Sequence, residues 1–222
     1  MLFRTAAWTT LSIAAIAFPT MASASKSDPA PESGDIDWAA LRCPKDQDAT
    51  HPTPTYGTKK GAFLICTEEL IAAPPQVIYD ALLDFRRYGA WNTFVVDVGL
   101  PADTGETPDG VYVGLAMTLT TSGLLDGINT TSTEVVSALL RDDGGAGFMM
   151  NAWRVEDGLG GSLIAAEHPN VLVDLGGGVT RYLSYETYYP GLATPTVRLL
   201  REKLQERFVQ QGRDLKAYVE GL

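Results

Sequence analysis

The sequence has few of the residues on which metal binding and covalent catalysis depend. Its 222 residues include only 2 cysteines and 2 histidines. The GxSxG, P-loop, GxGxxG and HExxH signatures do not occur, so hydrolase, nucleotide-binding and zinc-protease functions lack their usual motifs. His51 and His168 have no neighbours at the spacing of metal ligands. We therefore expect no metal and no cofactor, and we expect His51 to be exposed to solvent.

Basic residues are scarce as well. The chain has 17 Lys and Arg against 27 Asp and Glu, which gives a formal net charge of -10. Nucleic-acid binding needs a basic stripe that releases counterions from the phosphates, and the sequence contains none. Because 45% of the residues are hydrophobic and 20% are charged, the composition is that of a folded globular chain. We expect no nucleic-acid partner, and the composition leaves the oligomeric state open.

The N-terminal apolar run is too short to cross a membrane. It covers residues 6–18, about 13 residues, whereas a spanning helix needs about 20. The run follows one basic residue, Arg4, and precedes the small residues 22–24. This order is typical of a secretory signal peptide, so we predict cleavage after Ala24 and a secreted protein. A membrane anchor is the alternative, although we expect no stable membrane insertion.

Export changes the interpretation of the two cysteines, because an oxidising compartment favours disulfides. Cys43 and Cys66 form the one possible intramolecular pair, which closes a loop of about 24 residues and contributes roughly 3 kcal/mol in the chain-entropy model. Two unpaired thiols are the alternative. Asn129 begins a glycosylation sequon with Thr130 and Thr131, which predicts an exposed turn and a glycoprotein.

The remaining chain divides into an arm and one folded domain. Residues 25–60 are rich in proline and polar residues and predict an extended arm with one short helix at most. The domain, residues 61–222, begins with a strand and a helix over 75–83, whose first position suits Pro75. A short helical turn follows over residues 84–88. Short connections between the later strands predict an antiparallel meander, with strands over 94–100, 111–121, 130–140, 147–155, 162–173 and 179–189.

The C-terminal segment has a helical pattern. After Pro195, apolar residues recur with a period near 3.6 over about 25 residues, which predicts one long amphipathic helix. A coiled coil or a membrane-surface helix would show a similar pattern. Gly212 interrupts the repeat, and the polar face mixes acidic and basic residues. Packing of this helix on the protein's own sheet is therefore the favoured prediction.

Three segments resemble the START-like superfamily, also called SRPBCC, which includes the polyketide cyclase/dehydrase and lipid-transport group. They are residues 68–94, 177–188 and 214–220, and the resemblance covers about residues 61–222. It implies an α+β helix-grip fold, in which a curved seven-stranded antiparallel sheet wraps around the long C-terminal helix and two short helices follow the first strand. It also implies an elongated apolar cavity between sheet and helix.

The resemblance implies three classes of function. The first is a secreted protein that binds and carries a small hydrophobic molecule, such as a lipid, a sterol or a polyketide-like metabolite. The second is a polyketide or terpenoid cyclase or dehydratase that acts in the same cavity by acid–base catalysis. The third is an interaction protein whose cavity is vestigial. Fold alone does not decide between them.

Candidate site residues follow from strand alternation and from the resemblance. One face of the last strand carries Tyr182, Ser184, Glu186 and Tyr188, and the resemblance favours this face as the inward one. Glu186 and His168 are the candidate catalytic acid or base. The alternative for His168 is an imidazole on the protein surface. The alternative for the residues of the last strand is that they are ordinary aromatic and charged residues of a sheet. The further expected ligand-binding residues are Trp91, Asn92, Met150, Trp153, Leu204 and Phe208.

Overall fold

The computed structural model describes residues 36–46, 48–141, 147–157 and 159–222. The predicted signal peptide with its cleavage site after Ala24, the first residues of the arm and most of the connection between the strands predicted over 130–140 and 147–155 lie outside the described residues. All the strands and helices discussed below lie within them.

Seven antiparallel strands form one curved sheet in the order β1-β7-β6-β5-β4-β3-β2. From β2 to β7 each strand pairs with its neighbour in sequence, as the short connections predict. The turn between β3 and β4 contains only Asp126 and Gly127, and Gly127 has φ +72°, which a residue with a side chain rarely adopts. The strands are β1 Phe63–Ile71, β2 Val95–Gly99, β3 Ala116–Leu125, β4 Ile128–Leu140, β5 Met149–Val155, β6 Ala165–Asp174 and β7 Thr180–Tyr189.

Two helices follow β1 in the chain and two follow β7. They are α1 Pro75–Leu83, α2 Tyr88–Trp91, α3 Thr194–Arg198 and α4 Arg201–Glu220. Helix α1 has the predicted bounds, and Pro75 occupies its first turn. A turn of 3-10 helix, Phe85–Arg87, joins α1 to α2. The architecture confirms the α+β helix-grip fold.

Two predicted elements differ most from the structure. The single C-terminal helix is divided into α3 and α4, because Leu200 leaves helical geometry and packs against the core while Leu199 remains 84% exposed. The strand predicted over 111–121 begins later, at Ala116, because the preceding residues make a turn in which the Leu115 amide donates to the Tyr112 carbonyl. The break in the helix places Leu200 beside the sheet.

Helix α4 lies along the open edge of β1. The Gln205 side chain donates to the Cys66 carbonyl at 2.7 Å and accepts from the Cys66 amide at 3.1 Å. Further along the edge, the Lys216 ammonium donates to the Leu70 carbonyl. An edge strand presents unpaired main-chain groups, and these side chains satisfy several of them. The helix therefore has a fixed position at one side of the sheet.

Gly212 allows close contact at the centre of this interface. A Cβ atom at position 212 would lie 3.2 Å from the side chain of Thr67 and 3.3 Å from that of Glu69. A larger residue would require Thr67 and Glu69 to yield by a few tenths of an ångström. The glycine that interrupts the apolar repeat thus allows α4 to approach β1 closely.

The arm covers the convex face of the sheet. Trp38, in a helical turn over Trp38–Ala40, packs with a second apolar cluster on this face. Arg181 of β7 donates to the Leu41 carbonyl at 2.9 Å, and Tyr185 donates to the Pro52 carbonyl at 2.6 Å. Strands β6 and β7 are consequently buried on both faces over most of their length.

His51 is half-buried rather than exposed, which corrects the prediction made for this residue. Its ring lies edge-on to Tyr185 with centroids 5.2 Å apart, and Nε2 is 2.7 Å from the Arg42 carbonyl oxygen. Burial lowers the pKa of His51 below its usual value. The sequence pattern of the arm gives no sign of this contact, because it depends on the arm lying against β7.

A disulfide joins the arm to β1. Cys43 and Cys66 are bonded, with their Cα atoms 5.6 Å apart, which confirms the predicted pairing. Arg42, the residue before Cys43, also forms an ion pair with Glu68 of β1 at 2.7 Å. The disulfide and the ion pair therefore anchor to β1 the arm segment that covers the convex face.

Replacing both cysteines, Cys43→Ala with Cys66→Ala, should lower the free energy of unfolding by about 3 kcal/mol, since the closed loop restricts the unfolded chain. Urea unfolding followed by tryptophan fluorescence measures the change. Reduction of the unmodified protein is the matched control and should give a similar loss. Equal stability of the oxidised, reduced and doubly substituted proteins would contradict this role of the disulfide.

Candidate functional site

A cavity of about 420 Å³ lies between the concave face of the sheet and helix α4. Its wall is mostly apolar and includes Leu119 of β3, Trp153 of β5 and Phe208 of α4. One helix cannot fill the concave face of a seven-stranded sheet, which leaves this space. The lining residues are Phe94, Val95, Leu119, Thr121, Leu124, Leu125, 130–134, Trp153, Val155, Glu156, Asp157, Ile164, His168, Glu186, Tyr188, Val197, Leu200, Leu204, Phe208 and Gln211.

The depth of the cavity follows from the exposure of its lining residues. Trp153 and Phe208 are 2% and 3% exposed and mark the inner end. Leu125 and Thr131 of the β3–β4 hairpin are exposed, and Val197 of α3 is partly exposed. The mouth therefore lies between this hairpin, the segment after β5 and the α3–α4 junction.

Asp157 holds the backbone at one side of the mouth. Its carboxylate accepts hydrogen bonds from the amides of Leu159, Gly161, Leu163 and Ile164 at 2.8–3.0 Å. These bonds, with that from Ile164 the largest contribution, hold the pKa of Asp157 well below its usual range. The carboxylate has a structural role, since it fixes the loop that leads into β6.

Two buried glutamates are the main polar groups of the wall. Glu134 of β4 and Glu186 of β7 are 7% and 8% exposed. Ser132 donates to Glu134 Oε1 at 2.8 Å, and Tyr188 donates to Glu186 Oε2 at 2.7 Å. Each carboxyl group is thus oriented by one hydroxyl group from its own strand.

Burial favours the neutral form of both carboxyl groups. Desolvation raises the pKa of Glu134 to about 7, against the lowering effect of the Ser132 hydrogen bond. Desolvation and the nearby Glu134 charge raise the pKa of Glu186 to about 8, against the lowering effect of Tyr188. Near neutral pH the cavity therefore contains protonated carboxyl groups that can also release protons.

His168 is buried, contrary to the alternative of a surface imidazole. Its ring packs against Trp153 and Phe208 with centroid distances of 4.9 and 4.7 Å, and Nε2 shares a hydrogen bond of 2.7 Å with Ser184 Oγ. Burial lowers the pKa of His168 to about 3. The imidazole is consequently neutral at physiological pH and provides no positive charge to the two glutamates.

The structure brings together six of the eleven predicted catalytic and ligand-binding residues in the cavity wall. These six are Trp153, His168, Glu186, Tyr188, Leu204 and Phe208. Ser184 lies behind His168 as its hydrogen-bond partner. Tyr182, on the same face, donates to Asn170 Oδ1 at 2.8 Å in a buried polar network and does not line the cavity.

Three other predicted residues lie elsewhere. Trp91 stacks on Tyr218 with centroids 5.9 Å apart, and the Asn92 side chain accepts from two backbone amides at the start of β2. Met150 points to the convex face and packs in the apolar cluster under the arm. This placement corrects the expectation for Met150, because a strand buried on both faces has apolar residues on each.

Sequence reasoning missed the two other buried polar residues of the wall, Glu134 and Gln211. A glutamate in a strand rich in Ser and Thr is usually exposed, but alternation places Glu134 on the face of Val136, which is buried. Gln211 lies three residues after Phe208, on the same side of α4. These two spacings could have indicated both residues.

The described residues contain no cluster of metal-binding side chains and no membrane-spanning helix. No group of three or more His, Cys, Asp or Glu residues there is placed to hold a metal ion. No helix within the described ranges is both long and apolar enough to span a membrane.

No family model and no curated protein matches the chain. Solved structures share its fold. A hypothetical protein from Helicobacter pylori has a TM-score of 0.57 and 13% identity, covering 73% of this chain and 90% of that chain. A STAR-related lipid transfer protein from Xanthomonas axonopodis has a TM-score of 0.51 and 13% identity, covering 69% and 84%. A norcoclaurine synthase from Thalictrum flavum, solved as a point mutant with a transition-state analogue, has a TM-score of 0.50 and 13% identity, covering 70% and 92%. The shared fold is the START-like one that the sequence resemblance implies.

The raised pKa values of the two glutamates predict how stability depends on pH. Unfolded carboxyl groups titrate near 4.5, so between that pH and about 8 the folded state binds more protons, and the free energy of unfolding falls as pH rises. Between pH 6.5 and 8 we expect a net loss of about 2 kcal/mol; the lowered pKa values of His51 and His168 oppose it in the lower part of this range, because unfolded histidines still bind protons near pH 6.5. Urea unfolding at several pH values measures it.

The double variant Glu134→Gln with Glu186→Gln should remove most of this pH dependence. Glu202→Gln with Glu206→Gln is the matched control, because both residues are exposed on α4. The control should keep the slope of the unmodified protein. Identical pH profiles for the two double variants would contradict the assignment of the slope to the cavity.

Proposed function

We propose that this chain, which has the START-like helix-grip fold, is a carrier that binds one small hydrophobic molecule between the sheet and α4. The cavity is the observation that carries this proposal. Its volume of about 420 Å³ falls within the roughly 300–1,000 Å³ of small-molecule sites, and its wall is mainly apolar with few polar groups. The likeness to a STAR-related lipid transfer protein supports the same class of function.

The proposed ligands are a lipid, a sterol or a polyketide-like metabolite. The inner wall of Leu119, Trp153 and Phe208 offers apolar contact, whereas the protonated carboxyl groups and Tyr188 can hydrogen-bond one polar group of the ligand. Such a ligand would enter at the mouth beside the β3–β4 hairpin. These apolar and hydrogen-bonding groups are sufficient for a carrier, which binds the ligand without transforming it.

Acid–base catalysis is the second candidate function, and the two cavity glutamates favour it. A protonated Glu186 can donate a proton to a bound chain while an ionised Glu134 accepts one, which balances the cyclisation or dehydration of a polyketide or terpenoid. The neutral His168 is a further acceptor. The likeness to a norcoclaurine synthase supports an enzyme of this fold. Recovery of the bound molecule chemically unchanged after long incubation would favour the carrier.

We also propose that the protein is secreted after cleavage following Ala24. The disulfide between Cys43 and Cys66 supports export, because such bonds persist in oxidising compartments. Asn129 is exposed next to the β3–β4 turn, so a glycan at this position is compatible with the fold. Intact mass spectrometry of protein from the culture medium should give a chain that begins at Ser25, with or without an added glycan. A secreted chain that retains residues 1–24 would contradict the cleavage.

Filling the cavity should weaken ligand binding. Leu200→Trp places an indole in the cavity wall, and we expect at least fivefold weaker binding of the neutral fluorophore N-phenyl-1-naphthylamine. A fluorescence titration measures the dissociation constant.

Leu199→Trp is the matched control, since Leu199 precedes Leu200 and is 84% exposed. It should leave the dissociation constant within twofold of the unmodified protein. Equal effects of the two substitutions, or no binding by the unmodified protein, would contradict a ligand in this cavity.

A further inference from the structure

The charges of the cavity have one sign. Four acidic residues belong to the lining, whereas the described lining contains no lysine or arginine. His168 is neutral near pH 7 because of its burial. Arg207 of α4 lies over Gly123 of β3, outside the lining. The polar wall is therefore acidic.

Two of the four acidic residues have structural partners at the mouth. Asp157 accepts four backbone amides, and Glu156 pairs with Arg154 at 3.2 Å. Glu134 and Glu186 differ, because the hydrogen-bond donors to their carboxyl groups are neutral hydroxyl groups within their own strands. Burying two carboxyl groups without a cation disfavours folding, which makes these positions candidates for a ligand-binding role.

Gln211 provides an independent indication that the polar wall of the cavity binds a group of the ligand. The residue is 2% exposed and lines the same cavity from α4. Its Oε1 atom is buried and has no hydrogen-bond partner among the described residues. An unpaired buried acceptor lowers the stability of the folded protein, and a hydrogen-bond donor on a ligand would offset this loss. The unmet requirement of the cavity is thus for a hydrogen-bond donor.

We propose that the cavity selects hydrophobic molecules that carry a basic nitrogen, with the ammonium group directed to Glu134, Glu186 and Gln211. The inference rests on the proposed function and names the class of its ligand. A protonated amine supplies the positive charge that this wall lacks and a donor for the unpaired Gln211 oxygen, and its apolar part contacts Trp153 and Phe208. A fatty-acid carboxylate would add a further negative charge beside the glutamates, and a neutral alcohol would supply a donor without a charge.

Binding of an ammonium group is linked to proton release. The groups that face the ligand are Glu134 of β4, His168 of β6, Glu186 and Tyr188 of β7, and Gln211 of α4, with Glu156 and Asp157 at the mouth. Of these, the two buried glutamates change protonation near neutral pH. A bound cation favours their ionised form, so protons pass to the buffer.

Isothermal titration calorimetry with decylamine, decan-1-ol and decanoate, at equal chain length and below their micelle concentrations, tests the proposal. At pH 7 we expect decylamine to bind at least tenfold more tightly than decan-1-ol, and decanoate to bind most weakly. Repeating the decylamine titration in buffers of different ionisation enthalpy should reveal proton release. Decylamine and decan-1-ol of equal affinity, or tighter decanoate binding, would overturn the amine preference while leaving the carrier function intact.

The variant Glu134→Gln with Glu186→Gln should reduce the advantage of decylamine over decan-1-ol to less than threefold, because it removes the carboxylates that pair with the ammonium group. Glu202→Gln with Glu206→Gln removes the same number of acidic residues from the exposed face of α4 and should leave the preference unchanged. An equal loss in both variants would assign the preference to overall charge and overturn the proposal. If none of the three probes binds the unmodified protein, the proposed function fails, and the preference fails with it.

Discussion

The attachment of α4 to the open edge of β1 determines the rest of the structure. Gln205 pairs with both main-chain groups of Cys66, and Gly212 lets the helix approach Thr67 closely. Because the helix is fixed at one side of the sheet, it cannot also cover the strands farther along the concave face. The cavity is the space that this attachment leaves, and Phe208 forms its helical wall.

The arm contributes from the opposite side of the sheet. It buries the convex faces of β6 and β7, so the strand that carries Glu186 on its inner face is packed on its outer face as well. A strand held between two layers keeps its inward side chains in place without contacts from a ligand. This packing on both sides allows Glu186 to remain buried beside an open space, although its desolvation disfavours folding.

Most of the fold follows from local patterns, whereas the site follows from them only in part. The helix over 75–83 has a proline start and a clear repeat, so its bounds are predictable. Alternation groups Glu186 and Tyr188 on one face of β7, and the resemblance favours that face as the inward one; both residues line the cavity. It fails for Met150, where both faces of the strand are apolar and a distant segment provides the second layer. Burial of His168 depends likewise on Phe208, a residue of α4.

The disulfide has a practical consequence for observing the protein in solution. The sequence contains two cysteines, and both are bonded to each other. The oxidised protein therefore offers no thiol of its own for chemical labelling. A single cysteine introduced on the exposed β3–β4 hairpin, for example at Ile128, which is 61% exposed and outside the cavity lining, would carry a spectroscopic label at one known position, from which opening and closing of the entrance could be followed without altering the interior.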